Sequence, residues 1–244
     1  MKAIILAAGR GSRMRKMTDD RPKCLVELRG KPLLDWQLEA LSAAGIEEIA
    51  IVTGYKQELL AERGLVEFHN DRWAETNMVS SLACAEDWLE DHACIVSYSD
   101  IFYNVTAVQA LIASQSMLAI TYDPNWLDLW TTRFGDPLLD AETFSLTSEG
   151  TLAEIGNRPL SIHEVHGQFM GLLRIAPKGW AEFVRILENL SQKKKDEIHI
   201  TGTLQMVVEA NRLPVSAIPY YGVWGEIDSE SDLENTTKIF QKES

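Results

Sequence analysis

An alternation in the first half of the chain constrains the fold most: short, wholly apolar runs, each followed by an amphipathic segment. Ala3 to Ala7 is apolar throughout and runs on to Gly9, as a strand buried on both faces does. Pro32 to Ala44 sets Leu33, Leu34, Trp36, Leu38 and Leu41 at helical spacing, with Gly45 as the stop. Ile49 to Thr53 repeats the strand pattern and ends at Gly54. A helix over Lys56 to Arg63, a strand near Leu65 to Phe68, a helix over Met78 to Leu89 and a strand over Cys94 to Tyr98 continue the series. Asn104 to Ser114 and Leu118 to Tyr122 add one more helix and strand. Such alternation needs right-handed crossovers, so the expected class is α/β: a Rossmann-like, mixed but mostly parallel sheet with helices on both faces. Ligands bind outside the carboxyl ends of such strands, which points to the loops after Leu6, Val52 and Tyr98.

The second half is less regular. Thr143 to Leu146 and Leu152 to Ile155 flank Ser148-Glu149-Gly150, a hairpin signal. Phe169 to Ile175 and Val215 to Pro219 read as strands, and Lys178 to Leu190 and Thr203 to Ala210 as helices. Ser229 to Asp232 fits a helix start, with an acid three residues after the cap. Lys193-Lys194-Lys195 reads as a solvated loop. At 244 residues, without a Gly- or Pro-rich linker, a single domain is expected.

Charge narrows the partners. The formal net charge is -13, which disfavours nucleic acid and anionic membrane surfaces. Any polyanion must be small and held by local cations and backbone amides. Cys24, Cys84 and Cys94 show no metal-like spacing and read as reduced thiols. No apolar run approaches the roughly 20 residues of a membrane span, so a soluble, cytoplasmic protein without membrane insertion is expected.

Leu6-Ala7-Ala8-Gly9-Arg10-Gly11-Ser12-Arg13 follows the first strand. Its small residues let the backbone approach a phosphate chain, and successive N–H groups can form an anion nest. Arg13 and Lys23 add mobile cations. A dinucleotide fingerprint would need a glycine where Met14 stands and an acid at the end of the second strand, and a Walker loop also needs glycine at Met14. Both are excluded; a tight structural turn remains the plain alternative.

The longer pattern Leu6-x-x-Gly9-x-Gly11-x-Arg13, with Thr18 and Pro22-Lys23, resembles the signature of the NTP-dependent nucleotidyltransferases that activate sugar phosphates and phosphocholine. The resemblance implies the GT-A-like fold of that superfamily, with residues 1–122 as a nucleotide-binding half and 123–244 as an acceptor-binding half. It implies that Leu6, Ala7, Ala8, Gly9, Gly11 and Ser12 cradle the triphosphate. Arg13 and Lys23 would then be the catalytic cations, and Lys23 would stabilise charge developing at the α-phosphorus. Asp100, after the strand Cys94 to Tyr98, and Asp228, before the last helix, resemble the two aspartates that hold Mg²⁺ in this family. Each is also a plausible turn or cap residue. An ionised phosphate or phosphonate acceptor needs no general base, consistent with five histidines that form no cluster.

The region Asn70 to Leu82 departs from the Gly-Thr-Ala-like segment of hexose enzymes and resembles the Asn-rich segment of choline-phosphate and phosphonoalkyl cytidylyltransferases. That resemblance implies CTP, with Asn77, Ser80 and Ser81 near the base and ribose; simple helix capping by Thr76 or Asn77 stays open. The stretch Asp123 to Pro137 combines indoles, carboxylates and one arginine. For an acceptor with an ammonium end and an oxyanion end, Trp126, Trp130 and Trp224 offer cation–π faces. Asp128, Asp136, Asp140 and Glu142 offer countercharge, and Arg133 an oxyanion clamp. The tryptophans serve equally as core or subunit-interface residues, and a homodimer is compatible with that reading. Trp130 to Glu142, with Gly167-Gln168-Phe169-Met170-Gly171 placing Gln168 at the acceptor, resembles the phosphonoalkyl enzymes, implying 2-aminoethylphosphonate or a relative, with phosphocholine beside it. The alternatives are a sugar-1-phosphate transferase using UTP or dTTP, and a non-catalytic nucleotide-binding regulator.

Overall fold

Alternate residues of each central strand face opposite helical layers. In β1 (Lys2–Leu6) Ala3 and Ile5 enter one apolar cluster while Ile4 and Leu6 enter the other. The chain, as a computed structural model, is described over residues 1–242, except for the side chains of Ser12, Arg15, Lys16 and residues 237–242.

The further strands of the main sheet are β2 (Ile49–Thr53), β3 (Val66–His69), β4 (Cys94–Tyr98), β5 (Leu118–Asp123), β6 (Gln168–Ile175) and β7 (Val215–Pro219). Their order is β7-β5-β6-β4-β1-β2-β3. β1 pairs in parallel with β2 and β4, β2 with β3, and β5 with β7; β6 runs antiparallel to both β4 and β5. The sheet is therefore mixed and mostly parallel, as the alternation implied. On one face lie α1 (Leu33–Ala43), α4 (Val105–Ala113) and α5 (Trp126–Phe134), through Leu34, Leu41, Val108, Leu111, Trp126 and Trp130. On the other lie α2 (Met78–Ala83), α3 (Glu86–Asp91), α6 (Pro177–Glu188) and α8 (Ile200–Ala210), through Leu82, Leu89, Trp180, Phe183 and Leu204. Two more helices are the short α7 (Gln192–Glu197) and the last, α9 (Glu230–Lys242).

Four local expectations change. Lys56 to Arg63 is not one helix but two 3-10 turns, Gln57–Leu59 and Ala61–Arg63. Lys56 takes a left-handed φ of 51°, and Leu60 alone of the segment is buried, too little apolar contact to hold a helix. The helix expected over Met78 to Leu89 breaks at Cys84–Ala85 into α2 and α3, which keeps Leu82, Ala85 and Leu89 all buried. The irregular stretch after Asp123 is the helix α5, with Trp126 and Trp130 one turn apart on its buried side. The lysine run belongs to α7, where Lys193 and Lys194 remain exposed.

The hairpin Phe144–Leu146/Leu152–Ile155 forms as expected. Ser229 Oγ and the backbone N–H of Asp232 cap α9. A ribbon that the sequence did not announce pairs Ile101–Tyr103 antiparallel with Trp224–Glu226. Among the described residues no helix is long and apolar enough to cross a membrane.

Candidate active site

The expected cradle leaves β1 at the carboxyl end of the sheet. Ala7 N donates to Val52 O, and Ala8 O accepts from Tyr55 N, so the chain holds to β2 until Gly9. Beyond it the segment turns back as a 3-10 run, Ser12–Thr18, closed by Met14 N donating to Gly11 O and Thr18 Oγ1 donating to the same carbonyl. Met14, which excluded two glycine motifs, is fully buried against Val26, Leu28, Leu33, Phe102 and Ile227 and anchors the loop from below. Gly11 has φ 68°, and a Cβ there would lie 3.0 Å from the Lys23 stem. A larger residue would strain the backbone and displace the lysine together.

Lys23 begins the turn Lys23–Leu25 after Pro22, whose φ of -61° is fixed by its ring. Its side chain is only 8% exposed. Nζ donates to Asp100 Oδ2 at 2.8 Å and also pairs with Asp228 Oδ1. Arg13, 66% exposed, reaches Asp228 Oδ2 at 2.9 Å. Burial pulls the Lys23 ammonium down, but Asp100 and Asp228 outweigh it and raise its pKa to about 12.

The two aspartates meet through the ribbon. Trp224 faces Tyr103 and Glu226 faces Ile101, and Ile227 N donates to Asp100 O at 2.9 Å. Gly225 makes this possible: a Cβ there would lie 2.7 Å from the Phe102 ring. Below, fully buried Gln37 of α1 donates from Nε2 to the carbonyls of Tyr98 (2.9 Å) and Ile101 (2.6 Å), on either side of Asp100. Its Oε1 accepts from Ser97 Oγ at 3.1 Å.

Asp100, Glu226 and Asp228 present carboxylate oxygens within 4.8 Å of one another. Asp100 Oδ1 is buried without a hydrogen-bond partner among the described residues. Burial, then Asp228 and Asp100, push the Glu226 carboxyl up, while Lys23 and Arg13 outweigh burial and hold Asp228 down. Three hard oxygen donors, one of them orphaned, fit a divalent cation that completes its shell from phosphate and water. Glu226 was missed by sequence reasoning. Its signal was its place two residues before Asp228 at the end of a strand.

Two cavities open on this cluster. The first, about 270 Å³, is walled by Leu6, Ala8, Gly9, Gly11, Asn77 and Ser81, and by Trp73 and Thr76, which had not been singled out as site residues. The second, about 260 Å³, is lined by Trp130, Asp140, Glu142, Gln168, Trp224 and Glu226, with Tyr98, His199 and Thr201 beside them. Arg13, Asp100 and Asp228 line both. The predicted cations, the predicted metal carboxylates and most predicted nucleotide residues thus converge on one place.

Several expected contacts do not reach it. Ala7 is held in the sheet and walls neither cavity, and the Ser12 side chain lies outside the described residues. Ser80 donates to Lys195 O instead of lining the first cavity. Trp126 is core: its indole N–H donates to Val165 O. Asp128 lies on the outer side of α5, on a separate recess with Asp123 and Tyr220. Asp136 caps the turn Pro137–Leu139 by accepting from Leu138 N. Arg133 does not present an oxyanion clamp. Its side chain, 3% exposed, lies behind the carboxylates and is held by Glu226 (2.9 Å) and Asp232 (3.0 Å), with Asp228 at 3.6 Å. Its Nη2 has no hydrogen-bond partner among the described residues, but it too is buried and turned toward Asp228, so the guanidinium is enclosed by three acids and does not face either cavity.

The chain has relatives among known proteins. The family described as the MobA-like NTP transferase domain matches residues 3–144. The CTP:phosphoglutamine cytidylyltransferase of Campylobacter jejuni is 38% identical over 250 residues, spanning 96% of this chain and 98% of that protein. The choline-phosphate cytidylyltransferase of Streptococcus pneumoniae is 39% identical over 109 residues, 43% of this chain and 48% of that one. Among solved structures, the inositol-1-phosphate CTP transferase from T. maritima superposes with a TM-score of 0.77 at 22% identity, covering 98% of this chain and 95% of that one; this shows a shared fold. The matched family spans more than half of the sequence and includes the cradle, Lys23 and Asp100, so the chain belongs to the MobA-like NTP transferases and is a nucleotidyltransferase.

Proposed function

We propose that this enzyme is a Mg²⁺-dependent cytidylyltransferase that moves CMP from CTP to a phosphate or phosphonate oxygen of a small nitrogen-bearing acceptor. The junction of the two cavities at Arg13, Asp100 and Asp228, with Lys23 on the side of the first and Glu226 on the side of the second, carries this reading. CTP would occupy the first cavity with its triphosphate on the loop from Leu6 to Gly11, and the acceptor the second. An acceptor oxygen forms a bond to the α-phosphorus as the bond to the β-phosphate oxygen breaks, and pyrophosphate leaves with that electron pair. The acceptor is already ionised near neutral pH, so no proton needs removal. Lys23 would turn from the aspartates to the α-phosphate, and Arg13, on the exposed rim, to the departing phosphates. Mg²⁺, held by Asp100 and Asp228 with Glu226 beside them, would supply charge neutralisation and alignment of the phosphates.

Acceptor class follows from charge. Asp140, Glu142 and Glu226 line the second cavity, and Arg13 is the one lysine or arginine in its wall among the described residues. Such a wall suits an ammonium or amide end, with Trp130 and Trp224 as flanking rings, and not the neutral hydroxyls of a hexose. The full-length likeness to the phosphoglutamine enzyme supports a phosphorylated amino acid ahead of phosphocholine and 2-aminoethylphosphonate.

A pyrophosphate-release screen tests this, with CTP, UTP and dTTP against phosphoglutamine, phosphocholine, 2-aminoethylphosphonate and glucose-1-phosphate. Release is expected with CTP and a nitrogen-bearing acceptor. Preference for UTP or dTTP with glucose-1-phosphate would reject it. Tight CTP binding without release with any acceptor would instead favour a regulator.

A further inference from the structure

Asn77, expected to read the base, has its amide engaged elsewhere. Its Oδ1 accepts from Met78 N at 2.8 Å, capping α2. Nδ2 donates to Glu197 O at 3.1 Å and lies 3.0 Å from His199 Nε2 and 3.2 Å from its Nδ1. An amide has two N–H donors, and both are engaged by the last residue of α7 and by His199 just beyond it. Desolvation lowers the His199 pKa, so a neutral ring is there to accept.

The neighbouring bonds repeat this pattern. Asn77 N donates to Asp196 O at 2.7 Å, and Ser80 Oγ to Lys195 O at 3.3 Å. Arg72 grips the Asp196 carboxylate at 2.7 and 3.2 Å. None of the six residues of α7 is buried, and six residues are too few for a helix stable by itself. These bonds to residues 72–80 therefore hold α7 in place. His199 and Thr201, which follow it, line the acceptor cavity, and Thr201 Oγ1 donates to Glu142 Oε1 at 3.4 Å.

We propose that Asn77, Asp196 and His199 are positioning residues that clasp the nucleotide-binding segment to the acceptor wall, so that His199, which lines only the acceptor cavity, sets nucleotide affinity. The inference rests on the first cavity being the nucleotide site. It predicts synergy, because the nucleotide would bind a wall already set by the clasp.

The test needs no acceptor. Calorimetric binding of CTP and of UTP, each with Mg²⁺, is measured for the wild type, Asn77→Ala, His199→Ala, their double variant and His199→Gln. His199→Ala should weaken CTP about five- to tenfold, the loss of one hydrogen bond, and Asn77→Ala, which also loses the bond to Glu197 O and the cap of α2, at least as much. The double variant should be no weaker than Asn77→Ala alone, and His199→Gln, which keeps an acceptor, should recover most of the His199→Ala loss. The CTP-to-UTP ratio should be unchanged throughout. Normal CTP affinity in His199→Ala, losses that multiply in the double variant, or a changed ratio in Asn77→Ala would each overturn the clasp. A wild type that binds neither nucleotide would overturn the reading of the cavity itself, and the clasp with it.

Discussion

Replacing Lys23 by methionine separates a catalytic role from a structural one. Methionine keeps the unbranched stem that packs against Gly11 and removes only the ammonium. In the wild type that ammonium sits 2.8 Å from Asp100 and is paired with Asp228, on a side chain only 8% exposed. Without it, three carboxylates remain within 4.8 Å of one another. Arg13 and Arg133 still answer Asp228 and Glu226, but nothing replaces the contact to Asp100. Removing one partner of a buried pair costs about 3–5 kcal/mol, and the part-exposure of Asp100 argues for about 3. At about 2–4 °C per kcal/mol for a chain of this size, Tm should fall by about 6–12 °C in EDTA. On the proposed reading Mg²⁺ would bind the native carboxylates and not the unfolded chain, so millimolar Mg²⁺ should restore much of that loss by mass action. Turnover should remain down by about 10²–10³ in Mg²⁺, the usual cost of losing a preorganised cation at the developing charge. Thermal melts in EDTA and in Mg²⁺, beside pyrophosphate release, make the measurement. An equal Tm loss in both conditions would refute the metal-site reasoning, and unchanged turnover would refute the role of Lys23.

Three more expectations concern the frame around the carboxylates. Asp228→Asn should raise the Mg²⁺ concentration for half-maximal activity at least about tenfold, the lower end of what removing even an outer-shell partner of a metal costs; an unaltered titration counts against the ligand assignment. Gln37→Leu leaves the Ile101 carbonyl buried without its donor and should cost about 2 kcal/mol. It should also weaken Mg²⁺ activation through the shifted Asp100 loop; a lower Tm with a normal Mg²⁺ titration would confine Gln37 to stability. Gly225→Ala drives a methyl against the buried Phe102 ring and should destabilise by about 1–3 kcal/mol. Since the same ribbon sets the distance between Asp100 and Asp228, Mg²⁺ affinity should fall with it, and a wild-type melt would contradict the packing argument.

Much of this site was legible as local pattern. The small-residue loop after β1, Arg13, Pro22-Lys23 and the aspartate after β4 lie where a parallel sheet exposes its strand ends, and strand periodicity alone located those ends. The fold class followed because the two faces of β1 and β2 are both apolar. What could not be read was set by contacts distant in sequence. The ribbon of Ile101–Tyr103 with Trp224–Glu226 is only three residues on each side, too short for a periodicity signal. It nevertheless brings Glu226 to the carboxylate cluster. Arg133 resembled a free anion clamp because its partners, Glu226 and Asp232, lie about a hundred residues away. Trp126 and Asp128 shared a sequence stretch with Trp130, but a helix turns neighbours to different faces. Only Trp130 of the three reaches the cavity. Charge type was readable in that stretch; direction was not.

In the proposed reaction CMP passes to an acceptor oxygen at the carboxylate junction. Product analysis by ³¹P NMR and mass spectrometry of an incubation with CTP, Mg²⁺ and phosphoglutamine reads that transfer. A CMP–acceptor conjugate joined through a diphosphate linkage is expected, with one pyrophosphate released for each conjugate formed and none without acceptor. Free CMP, or orthophosphate from the γ-position, appearing in place of a conjugate with this acceptor and with phosphocholine and 2-aminoethylphosphonate would contradict it.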